Sequence, residues 1–308
     1  MNTKLSIAIP TYDREEVLLD TIKSILNQLD NIEEIFVVDQ TKKHTAEVEA
    51  KLRAWHDNKS IRWIRLDKPS VTHAFNKGLL EASSDIVLFL DDDIVPSDSL
   101  VINHLRAHSK SDEIWAVTGK IVQPEGAKAW AKEKKQDNTL NFRFDSSEER
   151  YIENLMAGNL SVKRDKALEI GGFDENFIGA AFRFETEFAE RLILSGGKIL
   201  YAPDAMIKHL RASEGGVRAY GDLRLTASPM HAVGAYYYLL RSRRVTNRIF
   251  RCSKRLAGSI YSEQHLKKPW WIILTIFAEI TALLLAFMLY MKGPRVMQNT
   301  SLYKRGKR

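Results

Sequence analysis

Cysteine is nearly absent from this 308-residue chain: Cys252 stands alone, which excludes an intrachain disulfide and fits a reducing compartment. The N-terminus, Met-Asn-Thr-Lys-Leu-Ser-Ile-Ala-Ile-Pro, has too short an apolar run for a secretory signal, so the globular part is expected in the cytosol. A Gly-x-Gly-x-x-Gly turn is missing after every candidate strand, which argues against a dinucleotide-cofactor site. Nothing resembles a nucleic-acid recognition motif either, although the formal charge is +7.

The 44% hydrophobic content is ordinary for a globular core, and the length suits one large α/β domain or two small ones. Apolar strand patterns at Leu5–Ile9, Ile35–Val38, Ile61–Leu66 and Ile86–Leu90 alternate with helical patterns near 15–29, 46–55 and 71–81. Such alternation predicts right-handed βαβ crossovers and a parallel sheet covered on both faces. Further on, the patterns predict a helix over Ser97–His108 with Ser97 as its N-cap, and strands at Trp115–Val122, Asn154–Val162 and Lys198–Tyr201. Residues 124–150 are polar and aperiodic and are expected to form a mobile excursion over the site.

Strand Ile86–Leu90 runs directly into Asp91, Asp92 and Asp93. Three adjacent carboxylates repel one another and call for positive charge. Hard oxygen ligands at a strand end suit Mg²⁺ or Mn²⁺ and, through the metal, a phosphate. The carboxyl ends of strands are also where open α/β sheets bind ligands. A second ionisable candidate lies in the helix predicted over 184–194. At about 100° per residue, Phe184, Phe188, Ala189, Leu192 and Ile193 share one half of its surface with Glu185 near the centre. Glu187, Glu190 and Arg191 fall on the opposite side, expected to face solvent. A carboxylate centred on an apolar face is costly unless paired or used.

The C-terminal third is basic, with seven Lys or Arg among the fifteen residues from Arg241 to Arg255. Trp270–Met291 is an almost unbroken apolar run of 22 residues, about 33 Å as a helix, against a bilayer core of about 30 Å. Trp270, Trp271 and Tyr290 sit at its ends as interfacial anchors would. Glu279 opposes burial in lipid. It shares a narrow stripe with Thr275, Ala278, Ala282 and Ala286, so it can face a partner helix instead. An anionic membrane surface is the expected partner, not nucleic acid, and crossing the bilayer and lying in its interface both fit.

In order along the chain, Ser6-Ile-Ala-Ile-Pro-Thr-Tyr-Asp-Arg14, Val37-Val-Asp39, Ala74-Phe-Asn-Lys-Gly78, Phe89-Leu-Asp-Asp-Asp93, Ala157-Gly-Asn159, Gly171-Gly-Phe-Asp-Glu175, Glu185-Thr-Glu-Phe188 with Arg191-Leu192, and Tyr201-Ala-Pro-Asp204 with His209 resemble glycosyltransferase family 2, inverting enzymes of the GT-A fold. The resemblance covers roughly residues 4–215. It implies a GT-A, Rossmann-like, mostly parallel α/β sheet flanked by helices. A catalytic domain over 1–220 would divide near residue 122 into nucleotide-binding and acceptor halves. A basic helical, membrane-associating extension over 221–308 would follow.

It also implies roles. Pro10, Thr11, Tyr12, Arg14 and Asp39 resemble the base-binding edge of a nucleotide-sugar site, and Asn76 and Lys77 the residues near ribose and diphosphate. Asp91 and Asp93 resemble the Asp-x-Asp metal pair, with Asp92 not excluded, and His209 a position that can complete the metal shell, although a core histidine fits as well. Glu185 occupies the catalytic-base position where the family usually has Asp, and Asp13 replaces the commoner Asn. The implied activity is metal-dependent transfer of a sugar from a nucleotide-sugar donor to a hydroxyl of a glycan or lipid-linked acceptor. The implied place is the cytoplasmic face of the cell membrane, in cell-surface polysaccharide synthesis. Two rivals are a haloacid-dehalogenase-like Mg²⁺-dependent phosphatase, for which a later acidic pair is missing, and a non-catalytic nucleotide-sugar-binding scaffold.

Overall fold

Period-two alternation builds the centre of the molecule. A computed structural model describes residues 4–124, 142–220, 226–261 and 263–297. Its first half runs β1 (Leu5–Thr11), α1 (Glu16–Leu26), β2 (Ile32–Asp39), α2 (Ala46–Asp57), β3 (Arg62–Arg65), α3 (Val71–Glu81) and β4 (Ile86–Leu90). The second half continues β5 (Ile94–Pro96), α4 (Leu100–His108), β6 (Ile114–Val122), β7 (Arg150–Ile152), β8 (Asn159–Lys163), α5 (Arg164–Glu169), α6 (Phe184–Leu194) and β9 (Lys198–His209). Helices α7 (Val233–Arg241), α8 (Arg248–Ile260), α9 (Glu263–Lys267) and α10 (Trp271–Lys292) close the described chain.

Strands β3, β2, β1 and β4 pair in parallel, and the sheet then turns mixed in the order β8, β6, β9, β5, with β7 on β9. Successive residues of each strand point to opposite faces. Ile7, Ile9, Val37, Leu88 and Leu90 pack under α1, α2 and α4. Ala8, Phe36, Val38, Val87 and Phe89 pack under α3, α6, α7 and α10. The C-terminal helices thus share a core with the sheet. The chain passes from β1 to β2 and β3 on one side and returns to β4 on the other, so the strand order reverses between β1 and β4. A crevice opens at such a switch point.

Several boundaries differ from the sequence expectation. Helix α4 begins after Ser99, and the Ser97 hydroxyl caps nothing. The stretch 153–158 is a loop, with the strand starting only at Asn159. Strand β9 continues past Tyr201 to His209, because its second half pairs with β5 and β6. Of the expected excursion, residues 125–141 lie outside those described. Phe142 and Phe144, by contrast, are buried, and Tyr201 Oη donates to Ser146 O at 2.7 Å, so this part is packed on the sheet.

Behind β8 lies a buried polar chain. Asn159 Nδ2 donates to Ala205 O (2.9 Å) and Lys120 O (3.2 Å), which leaves Asn159 Oδ1 to accept from His104 Nε2 at 2.8 Å. His104 Nδ1 then accepts from Ser161 Oγ (2.8 Å), and Ser161 Oγ accepts from His108 Nε2 (2.9 Å). Burial holds both imidazoles neutral, His104 at about 4 and His108 at about 3. The unfolded chain takes up these protons near 6.5, so their contribution is intact above that pH and is lost as pH falls toward the folded values. Each histidine should cost about 1.4 kcal/mol of stability per pH unit in that window. Urea unfolding between pH 6.5 and 4 should therefore show a shallower pH slope for His108→Gln, by about that amount; equal slopes for variant and wild type would contradict the assignment.

Candidate active site

The cleft at the switch point encloses about 340 Å³. Its lining includes Pro10, Thr11, Tyr12, Arg14 and Gln40 from the ends of β1 and β2, Asp91, Asp92 and Asp93 after β4, Ala157 and Gly158, residues 179–185, His209 and Tyr220. The bend between β4 and β5 separates the three aspartates. Asp92 turns inward, accepting from Thr11 Oγ1 at 2.7 Å and Arg14 Nε at 3.1 Å. Asp91 and Asp93 turn the other way, toward His209 at the end of β9 (3.8 and 3.1 Å).

Arg14 is the local countercharge, with Nη2 3.4 Å from Asp93. Its Nη1 is buried and has no protein partner among the described residues, an unspent donor lining the cleft. Burial pushes Asp92 up despite Arg14 and Thr11. Burial opposes ionisation of Asp93 too, but hydrogen bonds from His209 and Ala212 N and the charge of Arg14 hold it below the usual carboxylate range. Desolvation pushes Asp91 up to about 6, with Asp93 and Asp92 adding to the effect and His209 opposing it. Asp91, Asp93 and His209 each offer a ligand atom, all within 4.8 Å of one another. Two hard oxygens and an imidazole nitrogen fit Mg²⁺ or Mn²⁺.

The stretch Ala157-Gly158-Asn159 frames this floor. Asp91 N donates to Gly158 O (3.1 Å), and a Cβ on Gly158 would strike the Asp91 carboxylate, so only glycine lets the backbone come this close. Ala157 N donates to Glu185 Oε1 at 2.8 Å, and Asn159 anchors the polar chain behind. Glu185 therefore faces the cleft. Burial pushes it up to about 7, with Asp91 adding to the effect and Ala157 N opposing it. Two non-glycine residues just before it, Ala181 (φ 48°) and Arg183 (φ 77°), adopt left-handed backbone, costing about 1–3 kcal/mol each. That strain turns the chain so that Glu185, at the first turn of α6, points inward. An aromatic stack locks α6 to β4 beneath: Phe188 on Phe173 (centroids 4.2 Å), Phe173 against Phe89 (5.9 Å) and Phe89 on Phe75 (4.6 Å).

Other residues singled out from the sequence are held by contacts within the protein. Asp39 is buried at the end of β2 and is engaged by Thr41 N (2.8 Å), His44 Nε2 (2.9 Å) and Trp63 Nε1 (2.9 Å). Asn76 is bonded to both backbone groups of Phe173, and Lys77 pairs with Glu81 at 2.7 Å. None of the three lines the cleft. The expected solvent side of α6 is also buried. Glu187 forms a two-pronged pair with Arg191 (2.8 Å each) and approaches Arg241 (3.4 Å), while Glu190 accepts from Ser242 Oγ and Arg243 N (2.6 Å each). The helix is packed on both sides, which a single-helix projection does not reveal. Conversely, Tyr220, whose ring lies 6.4 Å from that of Tyr12, and Phe182, 49% exposed on the cleft wall, escaped the sequence reading because loop aromatics carry no periodic signal.

Among solved structures, the chain resembles GalNAc-T7 with UDP, GalNAc and Mn²⁺ (TM-score 0.56, 16% identity, covering 78% of this chain and 50% of that one). It likewise resembles the mannosyltransferase PcManGT from Pyrobaculum calidifontis in complex with GDP-Man and Mn²⁺ (TM-score 0.55, 18% identity, 95% and 80%). These likenesses establish the fold, an α/β sheet flanked by helices. In sequence, the chain is 24% identical over 220 residues to the O-antigen chain rhamnosyltransferase RfbN of Salmonella typhimurium, covering 67% of this chain and 66% of that one. It is 23% identical to the probable glycosyltransferase YdaM of Bacillus subtilis, covering 66% and 50%, and 24% identical to the glucosyl-dolichyl phosphate glucuronosyltransferase of Haloferax volcanii, covering 56% of each. The chain thus spans about half to two thirds of the length of these relatives. The sequence profile of Glycosyl transferase family 2 matches residues 6–171, more than half of the 308 positions, and the chain belongs to that family.

Proposed function

We propose that this protein transfers a sugar from a nucleotide-sugar donor to a hydroxyl of a glycan or lipid-linked acceptor, with inversion at the anomeric carbon. The observation that carries the reading is one cleft holding both an Asp91–Asp93–His209 cluster and, across from it, a carboxyl raised to about 7. A divalent cation on that cluster would supply charge neutralisation for the departing nucleoside diphosphate. The unspent Arg14 Nη1 adds a donor for phosphate or base on the same wall, with Tyr12 and Tyr220 as the aromatic surface beside it.

Glu185 is the base in this reading. Its Oε1 is held by Ala157 N, which leaves Oε2 to take the acceptor's hydroxyl proton as the oxygen–carbon bond forms and the carbon–phosphate-oxygen bond breaks. Because Glu185 must be ionised, kcat/KM should rise with pH, reach half its plateau near 7 and level off above it. The similarity to an O-antigen rhamnosyltransferase and to an enzyme acting on glucosyl-dolichyl phosphate supports a place in cell-surface polysaccharide synthesis. Helix α10, long and apolar enough to cross a membrane, supports attachment to one; the cytoplasmic face is part of the proposal.

Glu185→Gln should lower turnover by about 10²–10⁴-fold while donor affinity, read by titration, stays near wild type. Glu187→Gln acts differently: it removes the charge partner of two half-buried guanidinium groups, so it should lower Tm and leave the turnover of the folded enzyme within a few-fold. Near-wild-type turnover in the first, or the larger kinetic loss in the second, would mean another base.

Asp91 tests the metal more cleanly than Asp93, which also serves Arg14 and Ala212 N. Asp91→Asn should weaken Mn²⁺ binding in calorimetry by more than the roughly 10-fold typical of an outer-shell change. Transfer should vanish in chelator and return with Mn²⁺ in the wild type; unchanged Mn²⁺ affinity in the variant would remove Asp91 from the site.

A further inference from the structure

A helix that crosses a bilayer has its ends on opposite sides, whereas α10 has both ends fastened to one body. At its N-terminal end, His265 Nε2 lies 2.9 Å from Thr275 Oγ1, and Arg255 of α8 pairs with Glu279 at 3.4 Å. Past its C-terminal end the chain turns at Gly293 and returns to the turn ahead of α6. There Asn176 Nδ2 donates to Gly293 O (2.7 Å), Arg295 N to Asp174 Oδ1 (2.9 Å), and Met297 N to Gly171 O (2.8 Å). Between these ties, Ala278, Ala282 and Ala286 are buried, and the helix packs along α7. The Glu279 that counts against lipid therefore faces protein.

Helix α8 lies antiparallel along the same helix, since Arg248 Nη1 is 3.4 Å from Tyr290 Oη near the far end of α10. Pushing α10 across a bilayer would drag Arg248, Arg251, Lys254 and Arg255 into hydrocarbon beside it. What remains outward is apolar. Ile273, Phe277, Leu284 and Met291 recur on the outer face of α10, and Ile249 and Phe250 continue the patch on α8, all more than half exposed. From residue 241 to 297 the chain carries eleven Lys and Arg against two Glu, one of them the buried Glu279. A second copy on this patch would set those cations against themselves. An anionic leaflet complements them.

We propose that α8 and α10 form a monotopic docking face that lies in the headgroup region of an anionic leaflet, with α10 parallel to the membrane plane. This deepens the attachment proposed above and rests on it. It also places the helix that carries Glu185 close above the lipid surface, since α6 packs on α7 and α7 on α10.

The test uses the full-length chain with Cys252→Ala, so that single thiols at Ile273→Cys, Phe277→Cys, Leu284→Cys or Met291→Cys take a spin label. Immersion depth is read by oxygen and nickel-chelate relaxation on phosphatidylcholine/phosphatidylglycerol vesicles. All four labels should sit at one shallow depth, about 5–10 Å below the headgroups. A profile that deepens to about 15 Å at the middle positions and returns would establish a span, overturning the monotopic arrangement but keeping attachment. Four labels that stay in water, fully accessible to the nickel chelate, would overturn both. Arg251→Gln with Lys254→Gln should weaken partition into phosphatidylglycerol-containing vesicles by roughly 25-fold, about five-fold per cation. Binding as tight as wild type would remove the anionic leaflet from the proposal.

Discussion

Everything at the cleft depends on how three adjacent carboxylates are kept at the end of one buried strand. Left together they would repel, protonate or unfold the turn. The bend between β4 and β5 divides them. Arg14 and Thr11 receive Asp92, Arg14 and His209 share the buried Asp93, and Asp91 turns toward His209. Arg14 is thereby pinned by two aspartates while keeping one nitrogen unspent. The same division that makes the turn tolerable produces a two-carboxylate, one-imidazole cluster on one side and an anchored guanidinium on the other.

Much of this was legible in the chain because it is local. The alternating strands and helices of residues 5–90 follow from hydrophobic periodicity, and the aspartates at a strand end follow from order alone. What stayed hidden is what the third dimension assigns. Asp39 resembles a site residue by position, yet His44 and Trp63, five and 24 residues away, draw its carboxylate inward. Asn76 and Lys77 have equally local reasons to turn from the cleft. Glu187 and Glu190 project from the polar side of α6, but α7 and the segment after it cover that side with Arg241, Ser242 and Arg243. Glu185 stands out on an apolar helix face, and the environment that face meets is the cleft and not the core.

The Ala157-Gly158-Asn159 stretch shows how three ordinary residues become a frame. One supplies an amide to the Glu185 carboxyl, one a missing side chain under Asp91, and one an amide group that fixes two buried histidines. Composition or periodicity cannot express such a division of labour, because each role is defined by a neighbour distant in sequence. The aromatic stack from Phe75 to Phe188 then holds the two halves of the cleft in one register.

The fastening of residues 293–297 onto Asp174 bears on how a detergent-free form of the protein is to be made. Asp174 receives Tyr237 Oη and Arg295 N at once and lies 3.3 Å from Arg241, so the segment after α10 is built into the turn that precedes α6. Cutting before the apolar helix would strip the cover from Tyr236 and Tyr237 and release that turn along with the outward apolar row. Solubility is better sought by recolouring only the outward row, with polar residues at Ile273, Phe277 and Leu284, and leaving the alanine side of the same helix as it is.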